Sequence, residues 1–466
     1  MHLFYLEYHY KANKKIKIRI IMAPLLAVIL TNCVSQIPAA PTDQSTRALE
    51  TACLALVDKS KAPWYWYEGW DLGLDNLWRG YRELHQDEEN RSTVISIYGT
   101  GNTDSSITNI WKLYTLAAQQ GCTNAIIPFY QAGVGVRPGN RLLGNLFGGG
   151  VNRYIQRSYQ VLAQTYKSGD KIFIFGFSRG AYIARSLNGM IEFAGLLQVD
   201  EGTNQKNEIG EQTSRLFTAY HLLNDGKPNF EQRLYGIIED EVGDIHVYRG
   251  TDKVKVEAIG VFDTVPALGI GRDDNPDNHR TDLYANHGFH ALSIDEQRND
   301  FRPLMFSHLH EEAQKLSQIW FAGAHSDVGG GYPDSDLNPH SDLGLQKLSR
   351  DWMLQNFQDY GLFSDVAYPP ACGEQDDICE AGHLHDAFLD NYEAFGRLGI
   401  HWRMPARKDT MHGSVLCRYE ISRLPLPHKK REPKGQYRPE NLIYPLSENY
   451  KFTDFACSGT ESASAQ

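Results

Sequence analysis

Residues 171–175 (KIFIF) run without interruption into Gly176-Phe177-Ser178-Arg179-Gly180 and then into a helical pattern that continues to Ala194. This is G-x-S-x-G set between an apolar strand and a helix, the context in which the motif makes a sharp strand-to-helix turn. Such a turn lifts the serine hydroxyl above the end of the strand. Small residues are needed at 176 and 180 so that the backbone can close on itself. The helix that follows places its N-terminal dipole and the N–H of Arg179 where an oxyanion would develop. A strand leading straight into a helix also constrains the fold, because repeated strand–helix units generate a mostly parallel sheet with helices on both faces.

The rest of the chain carries the same alternation. Strands are predicted at 93–98 (TVISIY), 124–131, 254–262 and 317–323, and helices at 107–119 and 152–166. The fold class is α/β, an α/β-hydrolase-type sheet with long cap insertions and a C-terminal helical and irregular extension. The domain reading is a signal at 1–32 and a tether and N-terminal segment at 33–60. A catalytic domain follows at 61–340 with an insertion at about 200–250, and then an extension at 341–466 that packs on the core. The Gly-rich stretch 133–150 and the 200–250 insertion are candidates for a lid or the walls of an acyl groove. Residues 64–78 hold four of the eight tryptophans and read either as a packed helix or as an interfacial patch.

The N-terminal segment has the order of a secretory signal: a basic stretch at 11–19, eleven apolar residues at 20–30, then Thr31-Asn32-Cys33. The apolar run is too short to span a bilayer, and its end resembles a bacterial lipoprotein box with Cys33 as the lipidated residue. The expected location is therefore the bacterial cell envelope, lipid-anchored and facing the periplasm, with a secreted or cytoplasmic protein as the alternative. Removing residues 1–32 changes the balance from −11 to 41 basic against 56 acidic residues. That charge argues against a nucleic-acid partner, which needs concentrated Lys and Arg. Cys33 aside, six cysteines remain, at 53, 122, 372, 379, 417 and 457. An even number suits disulfides in an oxidising compartment, with Cys372–Cys379 the shortest loop and a first guess for a pair. Their spacing is not that of a zinc site. No metal and no cofactor is expected.

A serine nucleophile needs a base, and the base an orienting acid. In chains of this type the order is serine, acid, histidine. Asp263 ends the strand EAIGVF, and His325 follows IWFAGA, so both sit at strand ends after Ser178. Asp327 is the alternative acid, and it also reads as closing the Gly329–Gly331 turn. His290, His385 and His412 are competing histidines, read mainly as structural. An Asp327, Asp334, Asp336 calcium loop is disfavoured because the EF-hand spacing is absent.

At these residues the chain resembles the α/β-hydrolase family that includes type VI secretion phospholipase effectors. The resemblance rests on GFSRGAYIARSLNG (176–189), GVFDTVPALG (260–269), FHALSIDEQRNDFRP (289–303) and WFAGAHSDVGGGY (320–332). TNIWKLY (108–114), HDAF (385–388) and HGSVLCRY (412–419) add weaker support. It implies an esterase acting on lipid, with Ser178, Asp263 and His325 at the triad positions. The family usually opens with Phe-Asp-Gly-Thr-x-Asn; here Tyr98 stands at the aspartate and Gly99-Thr100-Gly101-Asn102 is kept. The backbone of Gly99, Thr100 and Gly101 is therefore expected to complete an oxyanion hole with Arg179. A lipoprotein signal is itself a departure from effectors exported by a contractile injector. The expected function is a serine hydrolase of lipid esters, phospholipase- or lipase-like, with membrane contact through the anchor, an apolar patch or both. The alternatives are a periplasmic esterase of non-lipid esters and a catalytically silent lipoprotein that binds lipid or a partner.

Overall fold

The computed structural model describes residues 74–99, 108–131, 150–199, 206–222, 236, 245–266, 279–307, 315–332, 344–364, 366, 384–385, 402–420 and 437–455. The chain divides into two units, residues 1–48 and 49–466, and all described residues belong to the second. The signal, the tether, Cys33 and the Cys372–Cys379 pair lie outside the described residues.

The strands in chain order are β1 (Ser92–Ile97), β2 (Ile126–Gln131), β3 (Lys171–Phe177), β4 (Leu196–Leu197), β5 (Val247–Tyr248), β6 (Ala258–Phe262), β7 (His287–Ser293), β8 (Lys315–Phe321), β9 (Thr410–Met411) and β10 (Lys451–Phe452). Among the described residues, eight of them form one sheet in the order β10-β9-β8-β7-β6-β3-β1-β2. Every neighbouring pair in it is parallel. The helices are α1 (Leu74–Leu84), α2 (Asn109–Gly121), α3 (Val151–Thr165), α4 (Arg179–Ala194), α5 (Lys206–Leu222), α6 (His325–Gly329), α7 (Leu345–Gln358), α8 (Gly413–Glu420) and α9 (Leu446–Asn449). The α/β architecture expected from the sequence is thus the one observed.

Successive strand residues serve opposite faces. Ile95, Ile97, Ile172 and Ile174 join one core with Ile155, Tyr159, Ile183 and Leu187 of α3 and α4. Val94, Phe173, Phe175 and Phe177 join the other with Met353 and Phe357 of α7 and Met411 of β9. Strands buried on both faces read as continuous apolar runs, which is why β1, β3 and β6 are visible in the sequence. Within the stretch read as an insertion, α5 contributes Ile209, Leu216, Phe217 and Tyr220 to the first core. Within the C-terminal extension, β9 and β10 prolong the sheet itself, where the sequence suggested helices and loops.

The chain runs from β1 outward to β2 and returns to the other side of β1 as β3. That reversal is a topological switch point, and it opens a crevice at the carboxyl ends of β1 and β3. Ile97 pairs with Gly176 across it, so Gly99 and Ser178, each two residues further on, emerge side by side. A Cβ at Gly180 would lie 2.3 Å from the Ile97 carbonyl oxygen and 2.7 Å from the Tyr98 carbonyl carbon. Helix α4 can start where it does only because residue 180 has no side chain.

Gly180→Ala should therefore destabilise the protein by about 1–3 kcal/mol through forced separation of α4 from β1. A Cβ at Gly210, within α5, would meet Gln160 Nε2 at 4.0 Å, an ordinary contact, and Gly210→Ala should stabilise by about 0.5–1 kcal/mol. Urea unfolding of the two variants checks both signs.

Candidate active site

Ser178 is the residue between β3 and α4, buried, with φ 59° and ψ −126°. Such a conformation is strained for a side-chain-bearing residue and persists only where the surroundings hold it. Here the Ser178 N–H donates to the Phe262 carbonyl at 3.0 Å, and the Ser178 carbonyl accepts from Ala181 and Tyr182. A Cβ at Gly176 would meet the Ala181 Cα and the Gly180 carbonyl oxygen, both at 2.6 Å. The serine is the N-cap of a 16-residue helix, so its hydroxyl stands at the positive end of the helix dipole. Gly99 faces it closely, since a Cβ there would lie 2.9 Å from the Ser178 Cβ. Thr100 and Gly101 are outside the described residues.

Asp263 follows β6 in the next position along the sheet, also with positive φ (42°). Its N–H donates to the Ala291 carbonyl of β7 at 2.7 Å, which aims the side chain across the strand ends. His325 opens α6, four residues beyond β8. The His325 Nδ1 lies 2.6 Å from Asp263 Oδ2, with both side chains buried. The imidazole is wedged between Phe177 and Phe301, with ring centroids 4.6 and 4.9 Å away. Its backbone N–H donates to Glu296 Oε2 at 3.2 Å. The structure thus brings Asp263, rather than Asp327, against His325.

Asp327 has other partners. It accepts from the Ala324 N–H and from both the backbone N–H and, at 2.6 Å, the Nδ1 of His385. His385 in turn stacks on Tyr332. His290 lies under the site, its Nε2 accepting from the Thr264 N–H at 3.2 Å. Burial, with the nearby Arg185 charge, pushes its pKa down to about 3, so it stays neutral. His412 stacks on Phe321 and bonds Ser414. These three histidines serve packing and loop anchoring.

Four residues at the site, Arg403, Ser293, Glu296 and Arg298, are not among the candidates that motif order and spacing single out. Arg403 reaches Asp263 with both guanidinium nitrogens, Nη1 to Oδ1 at 2.5 Å and Nη2 to Oδ2 at 3.0 Å. Ser293, at the end of β7, donates its N–H and its hydroxyl to the same carboxylate, both at 3.1 Å. Glu296 is held by Arg298 through contacts of 2.7 and 2.8 Å, and Arg298 lies over Phe301. Ser293, Glu296 and Arg298 stand in the segment 289–303 that carries the family resemblance, and only that resemblance could have marked them. Arg403 sits in HWRMPAR, where nothing in spacing or periodicity distinguishes it.

The electrostatics follow from burial. Desolvation alone would raise the Asp263 carboxyl, but Arg403 and His325 outweigh it and hold it well below the ordinary carboxylate range. For His325, burial lowers the pKa more than the Asp263 hydrogen bond and charge raise it, and Arg298 adds to the lowering. The imidazole therefore stands neutral at neutral pH with an ionised carboxylate fixing its Nδ1. That leaves Nε2 as the nitrogen able to take a proton. Among the described residues, no group of three or more His, Cys, Asp or Glu side chains is arranged to hold a metal ion.

A parallel sheet with a serine elbow at its switch point, and a buried Asp–His pair at neighbouring strand ends, defines a protein of the α/β-hydrolase class. The catalytic-domain model of the Tle1-like phospholipase effectors of type VI secretion systems matches residues 91–356, more than half of the chain, and the chain belongs to that family. An uncharacterized protein of Saccharomyces cerevisiae is 30% identical over 257 residues, 51% of this chain and 36% of the yeast protein. The chain thus spans about a third of the length of the curated relative it matches. The crystal structure of an uncharacterized protein from Pseudomonas aeruginosa is similar at 15% identity, covering 60% of this chain and 47% of that one, with a TM-score of 0.34.

Proposed function

We propose that the protein hydrolyses carboxylic esters of lipids, as a phospholipase, by an acyl-enzyme mechanism with Ser178 as nucleophile. One observation carries this reading above the others: the strained Ser178 stands at a helix N-terminus with its N–H on the carbonyl of Phe262, the residue before an Asp263 that fixes Nδ1 of a buried, neutral His325. Membership in a phospholipase effector family supports lipid as the substrate class.

The chemistry would run as follows. Nε2 of His325 takes the Ser178 proton as the oxygen attacks the ester carbonyl carbon. Asp263 stabilises the imidazolium so formed. The N–H groups of Arg179 and Gly99 receive the oxyanion, each donor contributing about 10²–10³ in rate by analogy with measured cases. The tetrahedral intermediate collapses, His325 protonates the departing alcohol, and the acyl group stays on Ser178. Water, deprotonated by His325, then releases the fatty acid and restores the serine.

We further propose an oxidising compartment, the bacterial envelope, as the place of action, with Cys33 as lipid anchor. In support, Cys122 and Cys417 are each disulfide-bonded, and such bonds persist outside reducing compartments. In protein isolated from an envelope fraction under alkylating conditions, neither cysteine should be modified before reduction, by peptide mass spectrometry. Free thiols at both would overturn the compartment.

Ser178→Ala should lower fatty-acid release from phosphatidylethanolamine–phosphatidylglycerol vesicles by at least about 10³-fold, read by lipidomics of the products. It should also abolish labelling by a fluorophosphonate probe. Retained release in Ser178→Ala protein would sink the assignment of the nucleophile. Hydrolysis of p-nitrophenyl butyrate with no release from vesicles would instead indicate a non-lipid esterase.

The pH dependence has a definite sign. The base works only when neutral, and burial lowers the His325 pKa below its ordinary value of 6.5. The acid limb of kcat/KM on a soluble ester should therefore be centred below pH 6.5. A limb centred above pH 7 would contradict the buried, neutral imidazole.

A further inference from the structure

The family's catalytic-domain match ends at residue 356, yet the carboxylate that faces His325 has its strongest cationic partner beyond it. Arg403 belongs to the segment 402–409 that leads into β9 and is buried. Besides both oxygens of Asp263, its Nη1 donates to the Ser293 carbonyl at 2.9 Å and to the Ser293 hydroxyl at 2.6 Å. Its Nη2 donates to the Phe301 carbonyl. The Phe301 ring in turn packs against His325. The arginine's own backbone is pinned as well, because Asn441 Nδ2 donates to the Arg403 carbonyl at 2.6 Å and to the Ile294 carbonyl at 3.0 Å. A guanidinium so placed is a planar fork matched to a carboxylate and locked on both sides, unlike a surface ion pair that exchanges with solvent.

We propose that Arg403 is a positioning residue of the hydrolytic centre, supplied by the C-terminal segment, which holds Asp263 by a two-pronged ion pair and divides the aspartate's charge between itself and His325. The proposal rests on the reading of Ser178, His325 and Asp263 as the reacting set.

The consequence for His325 can be worked out from the groups that face the pair. Asp263 is faced by His325, Arg403, the Ser293 hydroxyl and the neutral His290. His325 is faced by Asp263, by Glu296 through its backbone N–H, and by the charge of Arg298. Among the described residues, the further charges that act on the pair are those of Glu296 and Arg298, which are bonded to each other. Among the described residues, removing Arg403 would leave the imidazolium as the one cation hydrogen-bonded to the buried Asp263 anion, with Arg298 acting on it only at a distance. The protonated imidazole would then be favoured, and the base would stay protonated to higher pH.

The test compares wild type with Arg403→Gln, Arg403→Lys and Ser293→Ala, measuring the pH dependence of kcat/KM on a soluble ester and the rate of fluorophosphonate labelling. Folding is followed by circular dichroism. In Arg403→Gln the acid limb should move up by about one pH unit, with kcat falling at least tenfold and KM little changed. Arg403→Lys keeps the charge but not the fork, so its limb should stay near that of wild type while kcat falls. Ser293→Ala should move the limb in the same direction as Arg403→Gln by a smaller amount, and it stands in for that variant where Arg403→Gln does not fold. A limb that stays at the wild-type pH in the folded charge-removing or hydroxyl-removing variant would overturn the proposal, since a merely structural arginine would change the amount of active protein and not its pH profile. Wild-type protein that is well folded but never labelled at Ser178 would overturn the underlying reading and the proposal together. Labelling of wild type with unshifted variants would overturn the proposal alone.

Discussion

The burial of a full negative charge at Asp263 is the constraint on which this structure turns. A carboxylate with no solvent contact is costly unless cations and donors replace the water it has lost. Here the replacement is assembled from pieces distant in sequence: Ser293 at the end of β7, His325 at the start of α6 and Arg403 in the C-terminal segment. Each must be delivered to within hydrogen-bond distance. The carboxyl ends of β6 and β7, the helix after β8 and the segment before β9 are therefore tied to one another through a single side chain. A parallel sheet suits this convergence, because all its strands end on the same side and each contributes the residue just past its end.

The serine depends on a second, purely steric constraint. Its backbone strain is held by a hydrogen bond to β6, by the close passage of α4 over β1, and by the approach of Gly99. These are packing requirements of the sheet and helix, so the geometry at Ser178 is set by the fold and not by any ligand. The two constraints meet in Phe177, whose backbone precedes the serine and whose ring lies on His325. Ser178 and His325 are thus positioned by one residue of β3.

What the chain declares openly is local. The β3 strand, the elbow and α4 are contiguous and follow rules of periodicity and turn chemistry, and Asp263 and His325 announce themselves by standing at the ends of apolar runs. The strand β7 is harder to see, because His287, Gly288 and His290 interrupt its apolar pattern. The burial of His290 is tolerable only through its partners, Gln318 and the Thr264 N–H, which no local rule reveals. The short strands β9 and β10 have two residues each and cannot show a period. Arg403 is the extreme case: its role comes from a contact across 140 residues of sequence, and an arginine in a polar stretch ordinarily reads as surface. Asp327 shows the converse, since a candidate acid two residues from the histidine is occupied by His385 and the α6 cap.

On the proposed function, the net charge then bears on how the protein meets its substrate. With residues 1–32 removed the chain would carry 41 basic and 56 acidic residues, and an anionic bilayer would repel it at distances up to the Debye length of ~8 Å. Two of the cations around His325 cannot offset this, because Arg403 is committed to Asp263 and Arg298 to Glu296. Attraction to the membrane would have to come from apolar contact or from a lipid on Cys33. Apolar contact has a feature that charge lacks: it does not weaken with salt. Vesicle hydrolysis that is insensitive to ionic strength is thus the behaviour this arrangement implies, whereas a steep loss with salt would mean that a local basic surface, outweighed in the total, does the docking.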